Sequence, residues 1–327
     1  MRPPRRQVLS FMVCASALLA GPDSAYTQAY PSRPITMVAP FPAGGAVDTM
    51  GRLLAERMQE SLGQTVIVEN VTGAGVSVGP SRVARAANDG YTLILGTSST
   101  HVLNGATMAL PYDVVNDFEP IALLSSQPLM IVARKDMPAN NLKELIAWLQ
   151  SNPDKATQAT TGEGNILHLS GVLFQRTTNT RFAFVPYRGT NLAMQDLIAG
   201  RIDMIFDLAS LSIPLVRAGT IKAYAVMAKN RLAAAPDVPT VDEAGLPEFY
   251  NSIWMGLWAP KGTPEAAVSK LNAAVINAFA NPAVRTRLQD LGHELYPREQ
   301  QTPKALAELQ KSEVAKWWPI VKAAGIK

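Results

Sequence analysis

The chain has 327 residues, of which 47% are hydrophobic and 17% charged, with a formal charge of +4 and a single cysteine. That composition suits a globular chain with a sizeable core, and so balanced a charge excludes the strongly basic surface that nucleic-acid binding uses. One cysteine excludes a disulfide framework and cysteine-ligated zinc.

Arg2, Arg5 and Arg6 precede an apolar run from Val8 to Ala20, which Gly21-Pro22-Asp23 ends, and small residues lead to a cleavage point after Ala29. This order reads as a secretory signal peptide over residues 1–29. The run falls short of the ~20 apolar residues that a spanning helix needs. Cys14 lies inside the run rather than after it, which argues against a lipid anchor. The exported chain would then have 298 residues, no cysteine and a charge near +2. That length suits two domains of ordinary size.

From Tyr30 onward, short β-branched or apolar runs alternate with longer helical patterns, as in a parallel α/β sheet. The first strands are expected at Ile35–Ala39, Val66–Glu69, Thr92–Leu95 and Met130–Ala133. Between them, the spacing of Met50, Leu54, Met58 and Leu62 predicts a helix over 48–62, and a shorter helix is expected over Ser81–Ala87. A second set follows: helix Leu142–Gln150, a glycine-rich loop at Thr160–Asn165, helix Ile166–Thr177, strand Phe182–Val185 and helix Asn191–Ala199. Strands Ile202–Phe206 and Ala223–Val226 complete it. After the loop Pro236-Asp237-Val238-Pro239-Thr240 come strand Trp254–Ala259 and helices Glu265–Phe279 and Lys304–Val321. Continuity alone places one boundary near Gln127, with two lobes in series.

Pro40-Phe41-Pro42-Ala43-Gly44-Gly45 leaves the first strand and enters the first long helix. Glycines at a helix N-terminus let successive amides face an anion, which the helix dipole favours without a charged side chain. The same residues also suit a tight turn that holds no ligand. Thr160-Thr161-Gly162-Glu163-Gly164-Asn165, with His168 one turn into the next helix, repeats the arrangement, so two loops can hold two ends of one ligand. Glu163 beside such a site must face solvent or meet an ammonium group. Asp48, in the first helical turn, either stabilises the dipole or receives an amine or hydroxyl of the solute. Thr97, Ser98 and Ser99 follow a strand at the carboxyl end of the sheet, where open α/β folds bind ligands, and Asp207 follows another; both sets also suit ordinary turns.

Gly73-Ala74-Gly75 with Gly79 has the spacing G-x-G-x-x-x-G, which departs from a dinucleotide fingerprint. The chain contains no G-x-S-x-G, H-E-x-x-H or Walker-type loop, and His101, His168 and His293 are too scattered for a local metal motif. A binder rather than an enzyme is expected, with no cofactor.

Several stretches in order give the sequence its resemblance: Tyr30-Pro31-Ser32-Arg33-Pro34-Ile35, Pro40 to Gly45 with Asp48, Leu62-Gly63-Gln64, and Asp89-Gly90-Tyr91-Thr92-Leu93. Leu110-Pro111-Tyr112-Asp113, Val185-Pro186-Tyr187-Arg188-Gly189, Asp237-Val238-Pro239-Thr240 and Ala259-Pro260-Lys261-Gly262-Thr263-Pro264 continue it. The chain resembles the Bug family, the periplasmic solute-binding receptors of tripartite tricarboxylate transporters. The resemblance implies a two-lobed α/β periplasmic-binding fold, type II-like, with two chain crossings and the ligand cleft between lobes. Residues 30–128 with 251–327 would form one lobe and 129–250 the other. It implies a small organic carboxylate held at Phe41, Ala43, Gly44, Gly45 and Asp48 on one side and Thr161, Gly162, Gly164, Asn165 and His168 on the other. Thr97, Ser98, Tyr187 and Asp207 would flank it. The implied partners are integral membrane permease subunits, with the receptor itself a monomer. A sensory co-receptor or an enzyme on the same scaffold are the competing classes. The chain departs from the family at Glu163, Ile166 and Leu167, where small or hydroxylated residues are more usual, and at Ala46, where a hydroxyl is frequent. Apolar Ile166 and Leu167 point to a less polar acid.

Overall fold

The computed structural model describes residues 30–187 and 189–326; the expected leader at 1–29 lies outside them. Strands β1 (Ile35–Ala39), β2 (Val66–Asn70) and β3 (Thr92–Thr97) pair in parallel in the order β2-β1-β3, with α1 (Ala46–Leu62) and α2 (Val78–Ala84) as crossovers. A π-helical turn over Ser99–Leu103 and the short α3 (Asn104–Thr107) lead to β4 (Phe118–Arg134), a strand of 17 residues. Then come α4 (Leu142–Ser151), β5 (Thr157–Thr160), α5 (Ile166–Thr178), β6 (Ala183–Pro186), α6 (Thr190–Ile198), β7 (Met204–Leu208), α7 (Ala209–Arg217) and β8 (Ile221–Val226). The chain ends with β9 (Ser252–Pro260), α8 (Glu265–Ala280), α9 (Pro282–Asp290), β10 (Glu294–Leu295) and α10 (Pro303–Ala323).

The long strand β4 decides the architecture. Its first part, Phe118 to Pro128, pairs with β9 and, at Ser125 and Ser126, with β10. From Leu129 onward its partners are β7 and β8 instead. β9 returns the chain beside Pro128 and runs back to pair with β3. One sheet therefore curls into two halves joined where β4 and the start of β9 run side by side, as a two-lobed α/β fold requires.

The apolar spacing read from the sequence explains the packing of the first half. Met50, Leu54 and Met58 of α1 are fully buried against the sheet and α8, with Leu271, Ala274 and Val275 in the same cluster. Each such side chain contributes roughly 1.5–3 kcal/mol through burial.

Three expectations need correction. The strand expected at Met130–Ala133 is only the tail of β4; Pro120 and Pro128, together with Ser125, Ser126 and Gln127, disguise its first part as loop. The short helix expected at Ser81–Ala87 starts earlier, at Val78, because Pro80 is tolerated in a first turn, where its missing N–H has no intrahelical role. β7 runs on to Leu208, so Asp207 lies within a strand rather than after it. Helix α7 carries Pro214 within it, and α9 opens on Asn281 as N-cap with Pro282 behind, both in stretches that polar and proline residues make look irregular. No helix among the described residues is long and apolar enough to cross a membrane.

Candidate functional site

The first glycine loop joins β1 to α1. Gly44 has φ +80°, a left-handed conformation that glycine adopts without strain, and Gly45 is the N-cap. The sequence suggests that both glycine amides face outward, but the structure turns them inward. The Gly44 N–H donates to Asp48 Oδ2 at 2.9 Å and the Gly45 N–H to the Pro42 carbonyl at 3.4 Å. Asp48 also accepts from Arg52 and, at 3.0 Å, from Asn70 Nδ2, which in turn bonds the Phe41 carbonyl. Burial works to raise this carboxyl, but the bonds from Arg52, Gly44 and Asn70 outweigh it and hold the group below its usual range. Asp48 is thus buried and occupied, and it shapes the loop rather than facing the cleft. No side chain caps α1, so the amides of Ala46 and Val47 have no acceptor among the described residues.

The second loop joins β5 to α5 and repeats the device with different chemistry. Gly162 and Gly164 have φ +120° and +78°. The Gly164 N–H donates to His168 Nδ1 at 3.1 Å, the same i to i+4 relation as Gly44 to Asp48. Burial lowers the His168 pKa, partly opposed by Glu163, and acceptance of the Gly164 N–H at Nδ1 places the ring proton on Nε2. Here the helix end is capped: Asn165 Oδ1 accepts from Leu167 N–H and His168 N–H at 2.9 and 3.0 Å, while its Nδ2 donates to Thr161 Oγ1. A Cβ added at Gly164 would lie 2.9 Å from Thr107 Cγ2, so this loop packs closely against α3, which lines the same compartment.

The two loops open onto adjoining compartments that share Phe41, Ser99 and Ile253. One, of about 450 Å³, is lined by Phe41 to Val47 with Thr97, Gln127, Asn191, Leu208 and Met255. The other, of about 440 Å³, is lined by Thr161, Glu163 to Leu167, Gly75, Val76, Leu103, Asn104, Thr107 and Met108. Two side chains at the first compartment carry unpartnered polar atoms. Thr97 and Gln127 are each 1% exposed, and neither Thr97 Oγ1 nor Gln127 Oε1 has a hydrogen-bond partner. An unpartnered buried polar atom costs roughly 1–3 kcal/mol, a cost that a bound solute or its water relieves. The arrangement can hold an anion by backbone amides and hydroxyls; it offers no nucleophile paired with a base.

Residues 50–326 match the tripartite tricarboxylate transporter family receptor. The chain belongs to that family. The receptor resembles the periplasmic binding protein BugD, at 38% identity and a TM-score of 0.78 over 91% of this chain and 99% of that one. It resembles MatC of Rhodopseudomonas palustris, solved with bound malate, at 41% identity and a TM-score of 0.78 over 89% and 100%. A second R. palustris protein, solved with adipate, is 31% identical with a TM-score of 0.80 over 91% and 99%. The two-lobed periplasmic-binding fold expected from the sequence is thereby shown, and these relatives are solute-binding proteins.

Within the receptor, the cleft takes in Phe41, Ala43, Gly44, Gly45, Thr97, Thr161, Gly164 and Asn165 of the expected residues. The others lie elsewhere. Gly162 bends the second loop without lining the cleft. Ser98 is buried at the start of the π-helical turn. His168 packs edge-on against Phe184. The Tyr187 hydroxyl donates to Asp196 at 2.8 Å. Asp207 is fully buried in β7, where Ser212 Oγ at 3.4 Å and the Leu208 amide reach its carboxyl, and burial outweighs both to raise its pKa to about 7. Sequence reasoning overlooked Gln127, Asn191 and Ile253, while Ser99, named with Thr97 and Ser98, does line both compartments. Gln127 looked like linker because the strand holding it was hidden, whereas Asn191 sits just after Gly189-Thr190 at the start of a helix, a signal of the kind already used for the two loops.

Proposed function

We propose that this protein is an exported receptor that captures a small carboxylate-bearing solute between its lobes and delivers it to an integral membrane permease. The observation that carries the reading is the uncapped start of α1, facing a compartment that also holds the unpartnered Thr97 Oγ1 and Gln127 Oε1. The malate and adipate in the structures of two relatives support a carboxylate as the ligand. The apolar wall of buried Ile166 and Leu167 with half-buried Ile253 favours an aliphatic body. In this reading the lobes comprise residues 30–128 with 251–327 and residues 129–250, consistent with the change of β4 partners after Pro128 and the return of the chain at Ser252. Residues 1–29 direct export to the periplasm and are removed. The solute docks on the α1 side, the second loop closes over it, and the closed form presents itself to the permease.

A thermal-shift screen of the processed protein against mono-, di- and tricarboxylates tests this. A ligand at 100 times its Kd stabilises by about 2.7 kcal/mol. A shift for one class of acid, reduced in Thr97→Val, supports the reading; no shift across the panel, from protein freed of copurified solute by partial unfolding and refolding, refutes it.

A further inference from the structure

The two ends of the cleft differ in kind. At the α1 end, the amides of Ala46 and Val47 lack acceptors and Thr97 Oγ1 lacks a partner, so this end is ready for an anion. At the α5 end, the amides of Leu167 and His168 already donate to Asn165, and that of Gly164 donates to His168. The same end carries Glu163, an exposed side chain and the single formally charged one among the described residues that line the two compartments. A second carboxylate arriving there meets a like charge and a helix end at which, in the first turn, only the Ile166 amide lacks an acceptor, whereas an ammonium meets an opposite charge.

From this polarity we infer that the receptor takes a carboxylic acid bearing a cationic amine at the other end of a short aliphatic body, and that Glu163 determines this specificity. The carboxylate lies at α1, the methylenes run along Phe41, Ile253 and Ile166, and the amine faces Glu163. The inference rests on the receptor reading above and narrows its solute class.

Two pairs of equal carbon number separate the possibilities: succinate against 4-aminobutyrate, and adipate against 6-aminohexanoate, with Kd measured by calorimetry on the processed protein. Attraction of the amine and repulsion of the second carboxylate act together at a partly exposed site, so a preference of about tenfold for the amine is expected in the pair that binds. Glu163→Gln should erase that preference by weakening the amine and strengthening the diacid. Its Tm without solute should stay unchanged, since Glu163 is exposed. Tighter binding of the diacid, binding of malate or citrate but of neither amine, or an amine preference that survives Glu163→Gln overturns the inference and leaves the carboxylate receptor intact. No binding of any acid in the panel defeats the receptor reading itself.

Discussion

The amide of Gly164 donates to Nδ1 of His168 at 3.1 Å, so the second glycine loop holds its shape only while that ring nitrogen is unprotonated. The first loop uses a carboxylate for the same purpose, with Gly44 donating to Asp48 at 2.9 Å. Two loops of one backbone design thus respond differently to acid.

Acid should weaken the fold through its histidines. Burial lowers His168 and depresses His101 to about 3 and His293 to about 4. Between these values and the ordinary 6.5, the unfolded chain binds protons that the native protein refuses, so the histidine contribution is full above about pH 6.5 and falls as pH drops. Asp207, whose raised pKa of about 7 acts in the other direction, opposes this in part. Each unit of depression costs about 1.4 kcal/mol once the unfolded histidine is protonated. Thermal melts from pH 7.5 to 4 should show Tm falling steadily below 6.5; a flat profile would count against neutral buried rings.

Asp48→Asn should destabilise the protein by about 1–3 kcal/mol in urea titrations, because a buried carboxylate that receives Arg52, Gly44 and Asn70 is replaced by an amide that matches fewer of these donors. With its carboxyl held low in the native state, the wild-type contribution is present above the unfolded pKa of about 3.9 and is lost as pH falls through the lower native value. Solute affinity should fall as well, since the first loop loses its brace.

The two loop glycines should respond unequally to alanine. At Gly44, with φ +80°, a Cβ meets open space, so only the strained backbone opposes it, at about 1 kcal/mol. At Gly164, with φ +78°, the same strain is joined by a Cβ lying 2.9 Å from Thr107 Cγ2. Gly164→Ala should therefore hold the loop away from Thr107 and weaken solute binding more than Gly44→Ala. Adding Thr107→Ser, which removes the offending methyl, should restore part of the affinity in a double-mutant cycle; strict additivity would place the defect elsewhere.

Thr97→Val should separate stability from binding. The hydroxyl is buried without a partner, so an isosteric methyl removes an unmet polar group and leaves the solute-free protein as stable or up to about 1 kcal/mol more so. Solute affinity should fall by about five- to tenfold, one hydrogen bond's worth, as calorimetry would reveal.

Much of the scaffold was legible in the order of residues. Met50, Leu54, Met58 and Leu62 recur at helical spacing and do pack inward, and β1 begins and ends where β-branched and apolar residues do. Gly44 and Gly164 announced their turns because the left-handed backbone there suits little else. β4 escaped because its prolines and hydroxyls mimic a linker, and with it went Gln127 and the double-stranded junction between the halves.

The sequence by itself determined the alternation of strands and helices, the two glycine turns and the family, since these rest on local spacing and backbone preference. Only the tertiary structure decided which polar atoms remain available. Asp48 meets Asn70 across 22 positions of sequence, and Gln127 Nε2 meets the Leu291 carbonyl across 164, which leaves Gln127 Oε1 without a partner. A buried polar atom is claimed by whichever partner the folded chain brings within about 3 Å, and that proximity has no local signature.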